Sequence, residues 1–335
     1  RLVIDWSHNS PPPNLLSDGQ RFAVLVQAAE SIPVTERQFY RGHWGTTTLA
    51  GHLGTFVDRA QDDLKTPGDI LTSANAHGKL TPKLSDLIRA YEAYLAILDA
   101  EGYADFGWLT TRVVRSLADD PALQEATRAR FDHLLVDEFQ DTNRAQFELI
   151  RLLVSAGDNV CVVGDGNQAI YAFRGGRSEY LTDFEKVFPE THTVALAENY
   201  RSAPVILEAA NCLAREIAAD SLQLAPTRVQ AVGHVTVTRC ATGATEAQVI
   251  CDEIVRLITR AEHPVPLHQI AVLFRSVTSD AGEVISALRD LGIPHAVSTG
   301  STAFERLRLA SVAAFRIATG QIRWNDVVRV AAFRT

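Results

Sequence analysis

The chain has 335 residues, 46% of them hydrophobic and 21% charged, with a net charge of −8. That composition describes a globular protein of roughly two domains and excludes a disordered chain. It also excludes a uniformly basic nucleic-acid coat, though not a local basic groove. Apolar runs such as Val160–Val163 and Ile270–Phe274 are far shorter than the ~18 residues of a membrane helix.

In chain order, residues 1–130 read as mainly helical. Phe22, Leu25, Val26 and Ala29 recur at helical spacing, as do Leu84, Leu87, Ile88, Tyr91, Leu95 and Leu98. Ser17 or Asp18 is the expected N-cap of the first helix, and Thr81-Pro82 the start of the second. Pro11–Pro13 and the Gly/Thr-rich patch Gly42–Gly54 read as loops. From Phe131 the pattern changes. Strands are expected at Leu134–Val136, Val160–Val163 and Thr193–Leu196, with helices near 144–155 and 178–188. Further on, helices are expected near 204–219, 246–260 and 281–291, with strands at Val235–Thr238 and Ala271–Phe274. Strands alternating with helices of this length predict parallel α/β sheets. Asp5, His8 and Pro11–Pro13 interrupt any signal-peptide pattern. Cys161, Cys212, Cys240 and Cys251 lack metal-site spacing and lie in apolar segments, which predicts reduced core thiols of a cytosolic protein. The sequence contains no Met and runs from Arg1 to Thr335, within an apolar stretch. The expectation is an internal fragment of a longer protein.

Three stretches carry chemistry. The strand ending at Val136 runs into Asp137-Glu138-Phe139-Gln140-Asp141-Thr142. Two adjacent carboxylates then lie at the carboxyl edge of a sheet, where open α/β folds bind ligands. In nucleotide hydrolysis Asp137 would hold Mg²⁺ and Glu138 would orient the attacking water. The plainer reading is a polar strand end, with Asp141 or Thr142 capping the next helix. The second stretch, Gly164 to Gly176, matches a dinucleotide fingerprint at Gly164, Gly166 and Ala169, but no amphipathic helix follows. In it Gln168 is followed by Tyr171, Phe173 and Arg174. Those aromatics and that cation suit unpaired bases and a phosphate, or the aromatics are core residues. The third stretch is Glu198-Asn199-Tyr200-Arg201-Ser202. Arg201 could stabilise a transferring phosphoryl group and Tyr200 could stack on an adenine, or the turn simply caps a helix.

Taken together, DEFQDT, GDGNQAIYAFRGG and ENYRS resemble motifs II, III and IV of the UvrD/Rep/PcrA-type DNA helicases of superfamily 1. Tyr91 through Leu109 is similar to that family's approach to motif II. Ile270–Arg275, Leu291–Pro294 and Phe304-Glu305-Arg306 resemble its second motor domain. The resemblance implies an α/β fold of RecA-like P-loop NTPase motor domains with parallel sheets, plus a mainly helical inserted domain. The implied partition is residues 1–130 for the insertion, 131–193 for the end of the first motor domain, and 194–335 for the start of the second. It implies Asp137 as the metal ligand and Glu138 as the catalytic carboxylate. Gln168 would sense the γ-phosphate, Tyr200 would stack on adenine, and Arg201 would reach the γ-phosphate. Tyr171, Phe173 and Arg174 would lie along single-stranded DNA.

The implied cofactors are ATP and Mg²⁺, and the implied partners are single-stranded DNA and duplex junctions, with no membrane. The implied setting is the bacterial cytoplasm and its nucleoid, in repair or recombination, with 3′→5′ polarity. The sequence departs from the family at Gly166-Asn167, where relatives carry serine and aspartate, and after Arg306, where Leu-Arg replaces an acidic pair. No GxxxxGK[ST] occurs in the 335 residues; the sole Gly-Lys, Gly78-Lys79, has neither the upstream glycine nor the following Ser/Thr. The expectation is therefore a helicase segment inactive alone, against the alternative of a non-hydrolysing DNA-binding or scaffolding protein.

Overall fold

The computed structural model describes residues 13–42, 45–154, 159–170, 176, 179–218 and 221–297. Their contacts divide the chain into two units, Arg1–Ala197 with Cys212–Gln223, and Glu198–Asn211 with Leu224–Thr335. The expected DNA contacts Tyr171, Phe173 and Arg174, and the Phe304–Arg306 motif, lie outside the described residues.

The first unit opens with helices. α1 (Asp18–Glu30) starts at Ser17, whose N–H donates to the Gln20 side chain at 3.0 Å. Then come α2 (Gly45–Asp62), α3 (Pro67–Ala76) and α4 (Pro82–Glu101). Thr81 caps α4 by accepting the Leu84 N–H at 3.2 Å, and the helix stops at Gly102, whose φ of +63° suits glycine. The Gly/Thr-rich patch expected as a loop is helical from Gly45 onward. Its Leu49, Leu53 and Val57 recur one turn apart and are fully buried with α1 and α4 residues. The glycine that argued for a loop is a contact position: a Cβ at Gly54 would lie 3.3 Å from Leu25 Cδ1.

Two buried charges hold this helical layer. Arg37 is 2% exposed; its guanidinium donates to the Ala29 carbonyl at 2.7 Å and the Ile32 carbonyl at 3.0 Å, completing the end of α1. Burial draws its pKa below the ordinary range. Asp86 is fully buried and accepts the backbone N–H groups of Gln38, Phe39 and Tyr40 at 2.8–3.1 Å. Beyond α4, Asp105 caps α5 (Phe106–Asp119) by accepting the Trp108 N–H at 2.6 Å. Asp120 caps α6 (Pro121–Arg128). One short parallel pair, β1 (Asn14–Leu15) with β2 (Tyr103–Ala104), precedes residue 130 among the described residues.

After α6 the chain forms β3 (His133–Val136), α7 (Arg144–Leu153) and β4 (Asn159–Val162), with β3 and β4 parallel neighbours. Leu134, Val136, Val160 and Val162 pack on Phe139, Phe147, Ile150 and Phe184. The cap of α7 is Asn143, accepting the Gln146 N–H at 2.9 Å, and not Asp141 or Thr142. The helix expected over 178–188 is divided into α8 (Glu179–Thr182) and α9 (Phe184–Val187).

A hydrogen bond joins the end of α2 to the start of α7: the Asn143 amide donates to Asp62 Oδ1 at 2.5 Å. Burial, reinforced by neighbouring Asp58 and Asp63, pushes the Asp62 carboxyl up to about 6. Its unfolded value is about 3.9, so between those values the folded chain holds a proton that the unfolded chain has released. Stability therefore falls as pH rises through this window and levels off above it. Asp62→Asn keeps the acceptor and removes the charge. Because the group is half exposed, the expected gain is at most about 1 kcal/mol near neutral pH, or roughly 2 °C in Tm, vanishing near pH 4. Thermal melts of both proteins across this range check it; a gain that persists in acid would refute the assignment to Asp62.

From Glu198 onward the elements are β5 (Glu198–Asn199), α10 (Pro204–Ile217), β6 (Ala225–Pro226), α11 (Gly243–Ile258), α12 (Val277–Asp280) and α13 (Gly282–Asp290). β5 and β6 pair in parallel. α11 and α13 bury Cys251, Ile254, Val284 and Leu288 together, with Val272 and Phe274 packed against them. The strands expected at Thr193–Leu196, Val235–Thr238 and Ala271–Phe274 are not formed. A short apolar run is local, whereas a strand requires a hydrogen-bonded neighbour, and these segments have none among the described residues. The thiols also depart from expectation: Cys251 is buried, but Cys161 and Cys212 are exposed and Cys240 is intermediate. On β4, for example, Val160 and Val162 take the core face, leaving Cys161 on the other. The described protein is α/β, mostly helical, with parallel strand pairs.

Candidate active site

The register of β3 and β4 sets Val136 opposite Val162, so both strands deliver their following loops to one carboxyl edge. Two more bonds extend the pairing past the strands: the Val163 N–H donates to the Val136 carbonyl at 2.8 Å, and the Phe139 N–H donates to the Val163 carbonyl at 2.9 Å. Asp137 and Glu138 occupy this edge, both exposed. Glu138 has φ +51° and ψ +40°, a left-handed conformation that costs a residue with a Cβ about 1–2 kcal/mol. This turn drops the next residue, Phe139, into the core at 0% exposure while the two carboxylates stay in solvent. The strain thus sits at the residue expected to do the chemistry.

Hydrogen bonds knit the edge. Asp137 Oδ1 accepts the Glu138 N–H at 2.9 Å. Glu138 Oε2 accepts from the Gln140 amide at 2.6 Å, and the same amide accepts the Asp165 N–H on its oxygen at 3.0 Å. Gly164 makes this approach possible, since a Cβ there would lie 2.8 Å from Gln140 Oε1. Asp165 then holds the next turn: its carboxylate accepts the Asn167 N–H at 3.0 Å and the Gln168 side-chain amide at 2.8 Å. Gly166–Gln168 is one 3₁₀ turn, not the helix that a dinucleotide fingerprint would open.

The residues that were expected to form the site in the first unit, Asp137, Glu138 and Gln168, therefore share one edge. Gln140 and Asp165, which join them, were not anticipated. The available signal was Gly164 directly before Asp165, a glycine where a neighbouring side chain comes close. Asp137 offers a hard oxygen ligand, which suits Mg²⁺, an ion held by one or two carboxylates with phosphate oxygens and water. No cluster of three or more metal-ligating side chains occurs among the described residues, and such partial ligation does not call for one.

In the second unit, Asn199 shapes the turn that bears Tyr200 and Arg201. Its Oδ1 accepts the N–H groups of Arg201 at 3.0 Å and Ser202 at 2.8 Å, and its carbonyl accepts the Thr227 N–H at 3.0 Å. The Arg201 side chain is exposed and makes no hydrogen bond or ion pair among the described residues. Tyr200 is 67% exposed and donates its hydroxyl to Glu198, a bond that raises its pKa. Asn199 is the residue that sequence reasoning had left without a role here.

Comparison with known proteins adds independent findings. The UvrD/REP helicase N-terminal domain matches residues 20–189, and the UvrD-like helicase C-terminal domain matches residues 194–315. The ATP-dependent DNA helicase UvrD1 of Mycobacterium tuberculosis (strain ATCC 25618 / H37Rv) is 34% identical over 262 residues, covering 74% of this chain and 33% of that protein. UvrD1 of Mycobacterium leprae is 34% identical over 269 residues, with 74% and 33% covered. The ATP-dependent DNA helicase PcrA of Leuconostoc citreum is 29% identical over 259 residues, with 77% and 34% covered. The chain spans about a third of the length of the curated relatives it matches.

Proposed function

Because the chain belongs to the UvrD/REP helicase family, we propose that it is the central part of an ATP-dependent DNA helicase that moves on single-stranded DNA and opens duplex junctions. The observation that carries this reading is the single edge shared by Asp137, Glu138 and Gln168. Mg²⁺-bound ATP supplies the phosphoryl group and the cation that neutralises its charge. Asp137 holds the metal on its carboxylate, Glu138 orients the attacking water, and Gln168 reads the γ-phosphate. Arg201 neutralises γ-phosphate charge, and Tyr200 stacks on the adenine. Tyr171, Phe173 and Arg174 contact single-stranded DNA. In this reading 131–193 and 194–335 are portions of two RecA-like motor domains and 1–130 is a helical insertion. The polarity is 3′→5′ and the setting is repair or recombination. No helix among the described residues is long and apolar enough to cross a membrane.

The test measures ATP turnover of the full-length protein with and without single-stranded DNA, beside the 335-residue chain alone. The full-length protein should hydrolyse ATP with DNA stimulation. The chain alone should not exceed background, because no GxxxxGK[ST] cradle lies within it. Vigorous magnesium-dependent turnover by the chain alone contradicts this account, and DNA binding without turnover in the full-length protein selects the non-hydrolysing scaffold instead. Two variants then probe coupling. Base stacking is worth about 1–3 kcal/mol per base, so Phe173→Ala should weaken single-stranded DNA binding by about tenfold and lower unwinding more than DNA-free turnover. Gln168→Ala should leave DNA affinity near wild type and blunt stimulation. Equilibrium binding and turnover for both, matching wild type, would show that this segment has no part in coupling.

A further inference from the structure

We infer that Gln140 is a positioning residue for Glu138, and that its buried amide ties the orientation of the hydrolytic carboxylate to the loop that carries Gln168. The catalytic half of this inference rests on the hydrolase reading above. Its geometry does not.

Gln140 is 1% exposed, whereas Glu138 is exposed and sits on a long side chain with several rotatable bonds. A side chain of that kind in solvent has no fixed orientation unless something buried holds it. The Gln140 amide supplies that hold. Its Nε2 lies 2.6 Å from Glu138 Oε2, and its Oε1 lies 3.0 Å from the Asp165 nitrogen. The way the amide faces follows from its partners: an ionised carboxylate only accepts and a backbone N–H only donates, so each end has one possible role. The bond to Glu138 is charge-assisted, the stronger class.

The same amide makes the two loops move together. Asp165, whose N–H it receives, holds the Gln168 side chain through Oδ2 at 2.8 Å. A continuous path of three hydrogen bonds and one short backbone turn runs from Glu138 to Gln168. Gly164 completes the device, since any side chain there would displace Gln140 Oε1. A shift of Gln168 on γ-phosphate loss therefore reaches the Glu138 carboxylate through contacts a few ångströms long, without invoking a distant pathway.

Two substitutions separate positioning from packing. Gln140→Leu fills the volume and removes both bonds. Gln140→Glu keeps an oxygen to accept the Asp165 N–H but replaces the donor to Glu138 with an acceptor, so the hold on Glu138 is lost while the link to the loop remains. In the full-length protein with single-stranded DNA, Gln140→Leu should lower kcat by about tenfold or more with the KM for ATP within about twofold. Gln140→Glu, which removes only the donor to Glu138, should lower kcat to a similar extent with KM again little changed. Hydrogen exchange at the Asp165 amide supplies a readout without turnover: faster in Gln140→Leu, as wild type in Gln140→Glu. Wild-type kcat in either variant overturns the positioning role. Unchanged exchange in Gln140→Leu overturns the link to the loop. A wild-type protein with no turnover at all instead overturns the hydrolase reading and the catalytic half with it, while the exchange experiment still decides the link.

Discussion

Glu138→Gln in the full-length protein should lower ATP turnover by about 10³-fold, in the range observed when a positioned general base is lost, while nucleotide affinity stays near wild type. The two side chains have the same shape, so the left-handed backbone at φ +51° and the core seat of Phe139 are undisturbed. What changes is charge. A neutral amide cannot polarise a water, and its nitrogen end, if turned toward Gln140, would oppose a donor already 2.6 Å from the carboxylate. In the proposed site Asp137 would still hold the metal, so binding should survive. Single-turnover kinetics beside fluorescent-nucleotide titration separate the two quantities; normal hydrolysis by the variant would remove Glu138 from its assigned role.

A comparably large effect, on stability instead of activity, is expected at Asp86. Asp86→Ala strips the acceptor from three backbone N–H groups, those of Gln38, Phe39 and Tyr40. The buried Tyr40 donor left unmade costs about 1–3 kcal/mol, and breaking up a buried charge arrangement about 3–5 kcal/mol in all. Arg37, 2% exposed, loses the nearby negative charge that offsets its own burial. Burial alone would raise the Asp86 carboxyl, but the three backbone bonds outweigh it and hold it below the usual carboxylate range. A group lowered in this way contributes stability above its unfolded value of about 3.9, and the contribution fades as pH falls through the folded value. The penalty of Asp86→Ala, read from urea unfolding of the chain, should therefore be about 3–5 kcal/mol at neutral pH and shrink in acid. A penalty under about 1 kcal/mol would mean the segment 38–40 finds other partners.

The parts of this protein that depend on neighbours along the chain were legible from residue order. Thr81-Pro82 announces α4, and the apolar run before Asp137 announces β3 and places the carboxylates at its end. The parts that depend on what approaches from elsewhere were not. α2 was hidden because its glycines read locally as breakers, whereas Gly54 serves close helix contact with Leu25 and Gly45 lies against the Tyr40 carbonyl. Three expected strands failed because a short apolar run is a local feature, and pairing is decided by a partner far away in sequence. Arg37 and Asp86 gave no local sign of burial. Gln140 stood inside the recognised motif, yet its role exists only where Gly164 arrives 24 residues later.

That arrival of Gly164 also constrains how the chain assembles. Strands β3 and β4 are short and apolar on one face, so a pairing one residue out of step would send that face to solvent. A slip of one residue would bring Val163 or Asp165, each with a Cβ, to the place where Gln140 Oε1 leaves only 2.8 Å. It would also turn Val160 and Val162 away from Phe139 and Phe147. The glycine therefore suits the observed register: with the strands in step it leaves room for the Gln140 amide to reach the Asp165 N–H. The Gln140 bridge and the strand register thus support one another.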